Sequence, residues 1–332
     1  MALLFMDGFD AGDAGPKWTS SSGGSSNTDT RFSTGRSWYM ATSGDNVTRT
    51  IPASSQLFIG LALKFGTTPS GSARFLDIRS DTGTTTHLSL QFSSSTTLDI
   101  LRGTSTVITS ASVGAPLAWG AYIEVSATIA DSGGTCVVKV NGTTVINFTG
   151  DTRNAGTSTN IDAISLGKFT GFTPALFIDD LYLCDSTGSA PHNTFLGDVR
   201  VHTLVPNAAG SLTQMTPSSG ANYTTVDELP YSTADYVSGT SGQTDLYATS
   251  DLPGGAGTIY GVQTNAMVKK TDAGNISGKT AIKSGSTTYY GTTTATGTSD
   301  TTITDTRQVD PNTSTAWTSS GVNAIEIGIG AV

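Results

Sequence analysis

The segment Val137-Val-Lys-Val-Asn-Gly-Thr-Thr-Val-Ile146 predicts a β-hairpin, and this hairpin indicates the fold class. Two short runs rich in β-branched residues flank Asn141-Gly142. Both turn residues tolerate the positive φ angles of a type I′ turn, whose twist matches that of paired strands. A second run, residues 57–65, has a large apolar side chain at every other position: Leu57, Ile59, Leu61, Leu63 and Phe65. Successive side chains of a strand point to opposite faces, so this run predicts a strand with one strongly apolar face.

Short runs of this kind, separated by clusters of Ser, Gly, Thr and Asp, continue along the whole chain. We predict strands before residue 185 at 3–9, 38–41, 46–51, 57–65, 73–80, 86–92, 98–102, 106–110, 121–129, 135–140, 143–148, 163–168 and 175–184. Further strands are predicted at 195–204, 224–229, 244–249, 258–270, 278–283, 287–291, 301–309 and 322–329. Many short strands with regular turn signals are typical of sandwiches and barrels.

The composition of the 332 residues supports an all-β chain. With 57 Thr, 40 Ser and 39 Gly, and only 13% charged residues, the sequence lacks the Lys- and Glu-rich surface of helices. Thr is β-branched, Gly loses the most backbone entropy, and Ser competes for backbone hydrogen bonds, so all three disfavour helix. This excludes an all-helical protein and a doubly wound α/β enzyme. We predict an all-β protein with two β-sandwich (jelly-roll) domains in tandem.

A stretch of small polar residues around Pro191 is the best linker candidate, because it interrupts the strand pattern. We therefore expect a jelly roll over 1–185, a linker over 186–194, and a second β-sandwich over 195–332 that serves as the attachment or assembly domain. The Ser- and Gly-rich residues 19–28 are expected to form a flexible surface loop.

The charge of the chain narrows the function classes. A net charge of −9, with 17 scattered Lys and Arg residues, argues against nucleic-acid binding, which needs clustered basic residues.

No apolar stretch approaches the roughly 18 residues of a membrane span, so no membrane partner is expected. The N-terminal Met-Ala-Leu-Leu-Phe-Met lacks a basic n-region, and we expect synthesis in a cytoplasm without a signal peptide. Two Cys residues form no disulfide framework, and Cys136 is expected to be a small buried side chain.

Carboxylate pairs are the first catalytic motif to seek, since glycoside hydrolases need two carboxylates facing each other across the sugar. Acidic residues at alternate strand positions would meet this need, but no Glu-x-Asp-x-Glu run occurs. Glu124 stands alone, while Asp179-Asp180 and Asp227-Glu228 are adjacent pairs that alternation places on opposite faces. We expect one residue of such a pair to be exposed and the other to bond a turn or the backbone.

The sequence contains none of the other common motifs for catalysis or zinc binding. The three histidines, His87, His192 and His202, are accompanied by no nucleophile elbow, zinc spacing or phosphate loop. We predict no catalytic residue, no cofactor-binding residue and no cofactor. Calcium (Ca²⁺) is the one metal to consider, because several acidic residues near the N-terminus could supply oxygen ligands. Asp is also the usual residue of turns, which explains these residues better, so no ligands are assigned. These residues are Asp7, Asp10, Asp13, Asp29 and Asp45.

Aromatic residues offer a few contact candidates. Trp18 and Trp38 are expected in the core, the default for Trp in a sandwich. Tyr289 and Tyr290 are adjacent in a predicted strand, so one ring must point to each face. We name this pair as the surface-contact candidates.

Four motifs in the first 185 residues resemble, in their order, the laminin-G and concanavalin-like jelly rolls. They are Phe5-Met-Asp-Gly-Phe-Asp10, Trp119-Gly-Ala-Tyr-Ile-Glu-Val-Ser126, Val140-Asn-Gly-Thr-Thr-Val145 and Ala175-Leu-Phe-Ile-Asp-Asp-Leu-Tyr-Leu183. The resemblance implies that the opening and closing strands of this domain lie side by side.

Four segments of the remaining chain resemble proteins encoded among the structural genes of tailed bacteriophages. They are Leu196-Gly-Asp-Val-Arg-Val201, Val226-Asp-Glu-Leu-Pro230, Tyr260-Gly-Val-Gln-Thr-Asn-Ala-Met-Val-Lys-Lys270 and Asp310-Pro-Asn-Thr-Ser-Thr-Ala-Trp317. The resemblance implies a non-enzymatic structural protein of the virion, as a head decoration, fibre or tail component. Its partners would be other capsid or tail proteins and further copies of itself in a homo-oligomer.

Two alternatives stay open. One is a carbohydrate-binding adhesin that contacts a glycan on the host surface, and an exposed sheet face lined by Trp or Tyr would favour it. The other is a polysaccharide-degrading enzyme, favoured by two carboxylates about 5–10 Å apart across a groove.

Overall fold

The computed structural model describes residues 2–12, 17–32, 35–169, 172–255 and 257–332. Strands account for 49% of these residues and helix for 2%, and the fold is all-β, with sandwich-like jelly-roll domains. The chain divides into two compact units, residues 1–201 and 202–332.

The described strands of the first unit form two antiparallel sheets. In chain order they are β1 Leu3–Asp7, β2 Ser20–Ser22, β3 Ser25–Asn27, β4 Ser37–Met40, β5 Asn46–Ser54, β6 Gln56–Phe65, β7 Ala73–Ser80, β8 Thr85–Ser94, β9 Thr97–Arg102, β10 Thr106–Ser112, β11 Ala121–Thr128, β12 Gly134–Val140, β13 Thr143–Gly150, β14 Ile161–Gly167 and β15 Leu176–Asp185. The eight-stranded sheet has the order β13-β12-β11-β6-β15-β4-β3, with β1 also paired to β15. The seven-stranded sheet has the order β10-β9-β8-β7-β14-β5-β2.

The core of this unit lies between the two sheets, because alternate residues of both contribute to it. Leu57, Ile59 and Leu61 of β6 are fully buried there, as are Leu88 and Leu90 of β8. The same alternation points the intervening side chains of each sheet away from the core, onto an outer face. The two outer faces carry the polar chemistry of the unit.

Local sequence signals place most of these strands correctly. The hairpin of β12 and β13 turns at Asn141 and Gly142, whose φ angles of 49° and 77° fit a type I′ turn. The opening strand β1 pairs with the closing strand β15, as the jelly-roll resemblance implies. The expected loop over 19–28 is wrong in part, because β2 and β3 lie within it and pair with β5 and β4.

The second unit has a six-stranded sheet and two small ribbons. Its described strands are β16 Pro206–Thr213, β17 Thr216–Pro217, β18 Val237–Ser238, β19 Thr244–Thr249, β20 Val262–Val268, β21 Ser277–Ser284, β22 Thr287–Tyr290, β23 Thr294–Ala295, β24 Thr301–Arg307 and β25 Glu326–Ala331. A 3₁₀ turn spans Asn222–Thr225 and the short helix α1 spans Ser319–Val322. The sheet order is β16-β19-β25-β21-β22, with β23 paired to β21, and the ribbons are β17-β18 and β20-β24.

The core of the second unit is small and is supplemented by a buried carboxylate. Ile282, Trp317 and Ile325 are buried in one apolar cluster. Asp245, fully buried, accepts hydrogen bonds from the backbone N–H groups of Gln214 and Met215 at 2.6 and 2.7 Å. Buried acceptors that are fully bonded can hold a loop in place without apolar side chains. Asp245 thereby anchors the two residues that connect β16 to β17.

Several sequence expectations differ from the structure after residue 185. Residues 195–204 and 224–229 are predicted as strands, but the first segment is irregular backbone outside the sheets and the second begins within the 3₁₀ turn. The strand predicted over 322–329 begins only at Glu326, because α1 ends at Val322. The expected boundaries at 185/186 and 194/195 also differ, because residues 186–201 belong to the first unit. Side-chain groups on β11 and β15, rather than a neighbouring strand, bond this segment.

Candidate functional site

The acidic residues singled out in the sequence meet on the outer face of the eight-stranded sheet. Glu124 of β11 and Asp179 and Asp180 of β15 are only 1%, 5% and 2% exposed. The expectation that one aspartate of the pair would be exposed is therefore wrong. We call Glu124, Asp179, Asp180 and Tyr182 the acidic cluster.

A β-bulge explains why both aspartates point the same way. The pairing of β15 with β6 shifts between Asp179 and Tyr182, and Asp180 has a φ of 49°. A bulge inserts an extra residue and re-aims the side chains around it, so simple alternation fails. Both carboxylates then bond Arg31, whose backbone N donates to Asp179 at 3.3 Å and whose Nη1 donates to Asp180 at 3.1 Å.

An irregular segment, residues 195–201, covers the acidic cluster, and we call it the strap. The N–H of Gly197 donates to Glu124 Oε1 at 2.8 Å, and the N–H of Val201 donates to Asp180 Oδ1 at 2.8 Å. The N–H of Leu196 donates to the Tyr182 hydroxyl at 3.1 Å, and that hydroxyl donates to Glu124 Oε1 at 2.6 Å. The backbone N–H groups of the strap thus donate their hydrogen bonds to side chains of the sheet.

Burial dominates the electrostatics of the cluster. Burial and the neighbouring charge of Asp180 raise the pKa of Asp179 to about 8, and burial raises the pKa of Asp180. Burial also raises the pKa of Tyr182, and the adjacent Glu124 adds to that effect. Asp179 is therefore protonated at neutral pH. In this arrangement the acceptors point at the protein's own donors, and the strap lies between them and solvent.

A serine–histidine pair also forms, but its hydrogen bonds run in the wrong direction for nucleophile activation. Ser80 Oγ lies 2.8 Å from His87 Nε2, and both residues are fully buried. His87 Nδ1 accepts from the N–H of Asn154 at 3.3 Å, so in the neutral ring Nε2 carries the proton. Ser80 then accepts from His87 and donates to Asp81 at 3.1 Å. A general base would need a free lone pair on Nε2.

The acidic residues near the N-terminus each bond neighbouring groups. Asp7 accepts from Trp18 Nε1 at 2.8 Å and pairs with Lys17 at 2.5 Å. Asp10 and Asp45 accept from the backbone N–H groups of Arg36 and Thr42, at 2.7 and 2.8 Å. Asp13 lies outside the described residues. Within the described ranges, no group of three or more His, Cys, Asp or Glu residues could hold a metal ion.

A second polar array lies on the outer face of the seven-stranded sheet, and we call it the polar face. Its members project from strands β7 to β10 on the side opposite the core: Arg74, Asp77, Arg79, Ser89, Gln91, Asp99 and Ser110. Ser110, Asp99, Gln91 and Arg74 stand directly opposite one another on four consecutive strands. Ser89 and Asp77 form a parallel row beside them.

Hydrogen bonds and ion pairs hold the polar face in one arrangement. Asp99 accepts from Ser110 Oγ at 2.7 Å and from Gln91 Nε2 at 3.2 Å. Asp77, with no exposed surface, accepts from Ser89 at 2.8 Å and pairs with Arg79 Nη2 at 3.0 Å and Arg74 Nε at 3.3 Å. The two guanidinium groups remain partly exposed, with 18% and 24% of their side-chain surfaces accessible.

An aromatic patch occupies one end of the outer face of the eight-stranded sheet. The rings of Tyr39 and Phe177 lie 4.8 Å apart, and Trp119 meets Phe177 edge-on at 6.3 Å. Asp29 accepts from Trp119 Nε1 at 2.8 Å and pairs with Lys64, whose ammonium lies 5.0 Å from the Phe177 ring. This patch is a half-buried, well-anchored surface.

The tyrosine pair of the second unit splits as alternation requires. Tyr289 is half-buried against the apolar cluster, while Tyr290 is 40% exposed. The Lys279 ammonium lies 4.0 Å from the Tyr290 ring centroid. Tyr290 is therefore the member of the pair available for surface contact.

Sequence reasoning missed the polar face because it looked for catalytic spacings. The signal was present in β8, where Ser89 and Gln91 alternate with buried apolar residues. In β7, alternation puts Asp77 and Arg79 on one face, and a bulge between Arg74 and Leu76 brings Arg74 to that same face. The outward positions of β8 indicate a polar strand face, but which strands join it, and the place of Arg74 in it, are decided by the strand pairing. Arg31 carried no comparable signal, since it precedes β4 in an irregular segment.

No protein-family model matches the chain, and no curated protein matches it either. Among solved structures, it is similar to the cellulose induced protein Cip1, with a TM-score of 0.43 and 16% identity over 54% of this chain and 96% of that one. It is also similar to alginate lyase Aly36B, with a TM-score of 0.38 and 13% identity over 55% of this chain and 92% of that one. The receptor-binding domain of botulinum neurotoxin C/D mosaic serotype matches with a TM-score of 0.35 and 10% identity, over 49% and 41% of the two chains. These similarities concern the β-sandwich fold alone.

Proposed function

We propose that the protein is a non-enzymatic structural component of a phage virion, present in several copies as a head decoration, fibre or tail part. The observation that carries the non-enzymatic part is the acidic cluster. Its carboxylates bond Arg31, Tyr182 and the strap, and the strap covers them. A glycosidase needs a carboxylate pair open to the sugar and to water.

The virion assignment draws its support from the phage-like segments of the sequence and from the composition. Short polar side chains lose little rotamer entropy when they are buried at contacts between copies. Closed symmetric assemblies repeat the same contact many times, so this advantage accumulates. No described helix is long and apolar enough to cross a membrane.

Two measurements test the proposal. Immunogold electron microscopy of intact particles should place the chain on the virion, and its absence from purified particles would overturn the assignment. The purified chain should release no reducing sugar from a panel of polysaccharides. Robust release that disappears in Glu124→Gln or Asp179→Asn would instead make the protein an enzyme.

A second candidate function is a glycan-binding adhesin on the virion, and the polar face favours it. An outward array of planar carboxamide, carboxylate and guanidinium groups, already fixed by mutual hydrogen bonds, is suited to a ligand rich in hydroxyl groups. Binding of the purified chain to glycans from a host surface, without turnover, is the result expected of this candidate.

A further inference from the structure

We infer that the polar face of the seven-stranded sheet is a binding site for an uncharged glycan chain. The inference rests on the second candidate function, the adhesin, and names its ligand class and its binding residues. It concerns the described residues of β7 to β10 and no part of the acidic cluster.

The shape of the site follows from the strand register. Ser110, Asp99, Gln91 and Arg74 form one row across four neighbouring strands. Strands in a sheet lie about 4.8 Å apart, so this row runs about 14 Å across the strands. A row of that length suits an extended chain of sugar rings lying across the strands better than a single ring.

The row offers both donors and acceptors. Gln91 uses one amide proton on Asp99, and no group of the described residues bonds its side-chain oxygen. Asp99 is only 3% exposed, and Ser110 and Gln91 fix the orientation of its carboxylate. Ser110 itself is exposed at the edge of the row. A glycan hydroxyl both donates and accepts, so it can bond such mixed groups.

Two arginines act as fixed donors, Arg74 at the other end of the row and Arg79 farther along β7. Asp77 holds Arg74 and Arg79 from below, and the Arg74 guanidinium also stacks 4.7 Å from the Phe169 ring centroid. Their conformations are set before any ligand arrives. Groups that are already ordered lose less conformational freedom on binding, which raises affinity.

Charge decides between neutral and acidic glycans. On the polar face, Arg74 and Arg79 are balanced by Asp77 and Asp99, so the array carries no net charge. The whole chain carries a net charge of −9, which opposes the approach of a polyanion. Both observations favour a ligand with hydroxyl groups and no carboxylates or sulfates.

The test is affinity electrophoresis of the full chain in native gels cast with single polysaccharides. Dextran, mannan and galactomannan serve as neutral probes, and alginate and hyaluronate as acidic ones. We expect slower migration in at least one neutral gel, with the apparent affinity lowered at least fivefold in Gln91→Ala. Gln56→Ala is the matched control, because Gln56 makes one similar bond, to Ser126 at 2.9 Å, on the other sheet.

A second variant keeps the inference testable if Gln91→Ala does not fold. Ser110→Arg places a long side chain over the row from an exposed position, and it should abolish the retardation. Retardation in acidic gels alone would overturn the neutral-glycan inference and leave the adhesin function standing. Retardation in neutral gels that both variants retain would overturn the site. No retardation in any gel would overturn the inference and the adhesin function together, while localisation on particles tests the structural role separately.

Discussion

Buried ionisable side chains make the first unit sensitive to pH at the scale of single residues. His87 is fully buried, and its ring bonds Ser80 and the N–H of Asn154 as the neutral form. Asp179 is buried beside a second carboxylate and holds a proton. His87 and Asp179 change the stability in opposite directions as the pH rises, so the effect of each can be measured with its own substitution.

The first prediction concerns His87, whose pKa burial lowers below the usual 6.5. The unfolded chain then binds a proton at this ring more readily than the folded chain does, so stability rises with pH across this range. The free energy of unfolding should therefore fall as the pH drops below about 6.5, and His87→Gln should reduce that slope. Urea denaturation between about pH 5 and 7 measures it.

His192→Gln is the matched histidine substitution, outside the strands of the first unit, and is measured in the same series. An equal slope in wild type and His87→Gln would mean that the ring is not held neutral. For both variants, the free energy of unfolding is obtained from the equilibrium urea transition at each pH.

The second prediction concerns Asp179, whose pKa burial and the Asp180 charge raise to about 8 from a usual value of 3.8. Between about pH 4 and 8 the folded chain holds a proton that the unfolded chain has lost, so stability falls as the pH rises. Asp179→Asn mimics the protonated form and removes this loss. We expect the variant to gain in unfolding free energy over wild type steadily between about pH 5 and 8.

Asp131→Asn serves as the comparison, because its side chain is 65% exposed and its ion pair with Arg153 lies at the surface. Exposed pairs contribute about 0–1 kcal/mol, so this variant should track wild type. A constant difference between Asp179→Asn and wild type over the same range would contradict the protonated state.

At the scale of elements, close packing between β6 and β15 depends on one glycine. A Cβ atom on Gly60 would lie 2.0 Å from Tyr182 Cε1, so the tyrosine ring lies directly over this backbone. The ring position matters because the Tyr182 hydroxyl joins Glu124 to the strap. The sequence of β6 thus combines an apolar inner face with a glycine on its outer face, which leaves room for the Tyr182 ring.

The third prediction follows from that gap. Gly60→Ala should lower the free energy of unfolding by about 1–3 kcal/mol, since the ring must move and the well-packed face tolerates little extra volume. The control is Gly66→Ala, whose added Cβ would lie 3.5 Å from the nearest atom, an ordinary contact. Urea denaturation compares the two, and equal stabilities would show that the Tyr182 ring lies elsewhere.

The strap has a strand-like sequence but is not a strand, because Gly197 has a φ of 84° and residue 198 is a bend. Residues 195–201 carry apolar residues in a strand-like pattern, which led to the expectation of a strand. Their N–H groups at Leu196, Gly197 and Val201 bond side chains instead of a neighbouring backbone. Strand propensity reflects how well side chains pack on a pleated, half-buried surface, so it does not decide whether a segment pairs with a neighbouring strand.

At the scale of the whole molecule, the strap determines where the first unit ends. The unit extends to Val201, beyond the strand β15 that closes its sheets. Residues 186–201 therefore belong to this compact unit although they add no strand.

The fourth prediction uses this boundary. A fragment of residues 1–201 should unfold cooperatively, whereas a fragment of residues 1–185 should lose at least about 3 kcal/mol. The shorter chain loses the hydrogen bonds that the strap N–H groups donate to Glu124, Asp180 and Tyr182, and each such bond contributes about 0.5–1.5 kcal/mol, or more where the acceptor is charged. It also loses the buried side chain of Leu196. Thermal unfolding followed by circular dichroism distinguishes them. Equal midpoints would show that the strap adds no stability.

The sequence by itself determined the all-β class, nearly all strands of the first unit and the β12–β13 hairpin. These features depend on neighbours in the chain, namely alternation of side chains and the φ preferences of Asn141 and Gly142. Such short-range patterns can be recognised in the sequence without knowing which strand pairs with which. Second-unit strands were harder to place, because Thr- and Gly-rich segments have weak alternation.

Only the tertiary structure decided the acidic cluster, the strap and the polar face. Glu124 and Gly197 are 73 residues apart, and Arg31 and Asp180 are 149 apart, so no local pattern relates them. The bulge at Asp180 also reverses the alternation from which the faces of β15 were predicted. Which polar side chains become buried depends on the donors that the fold brings to them, and strand pairing at long range supplies those donors.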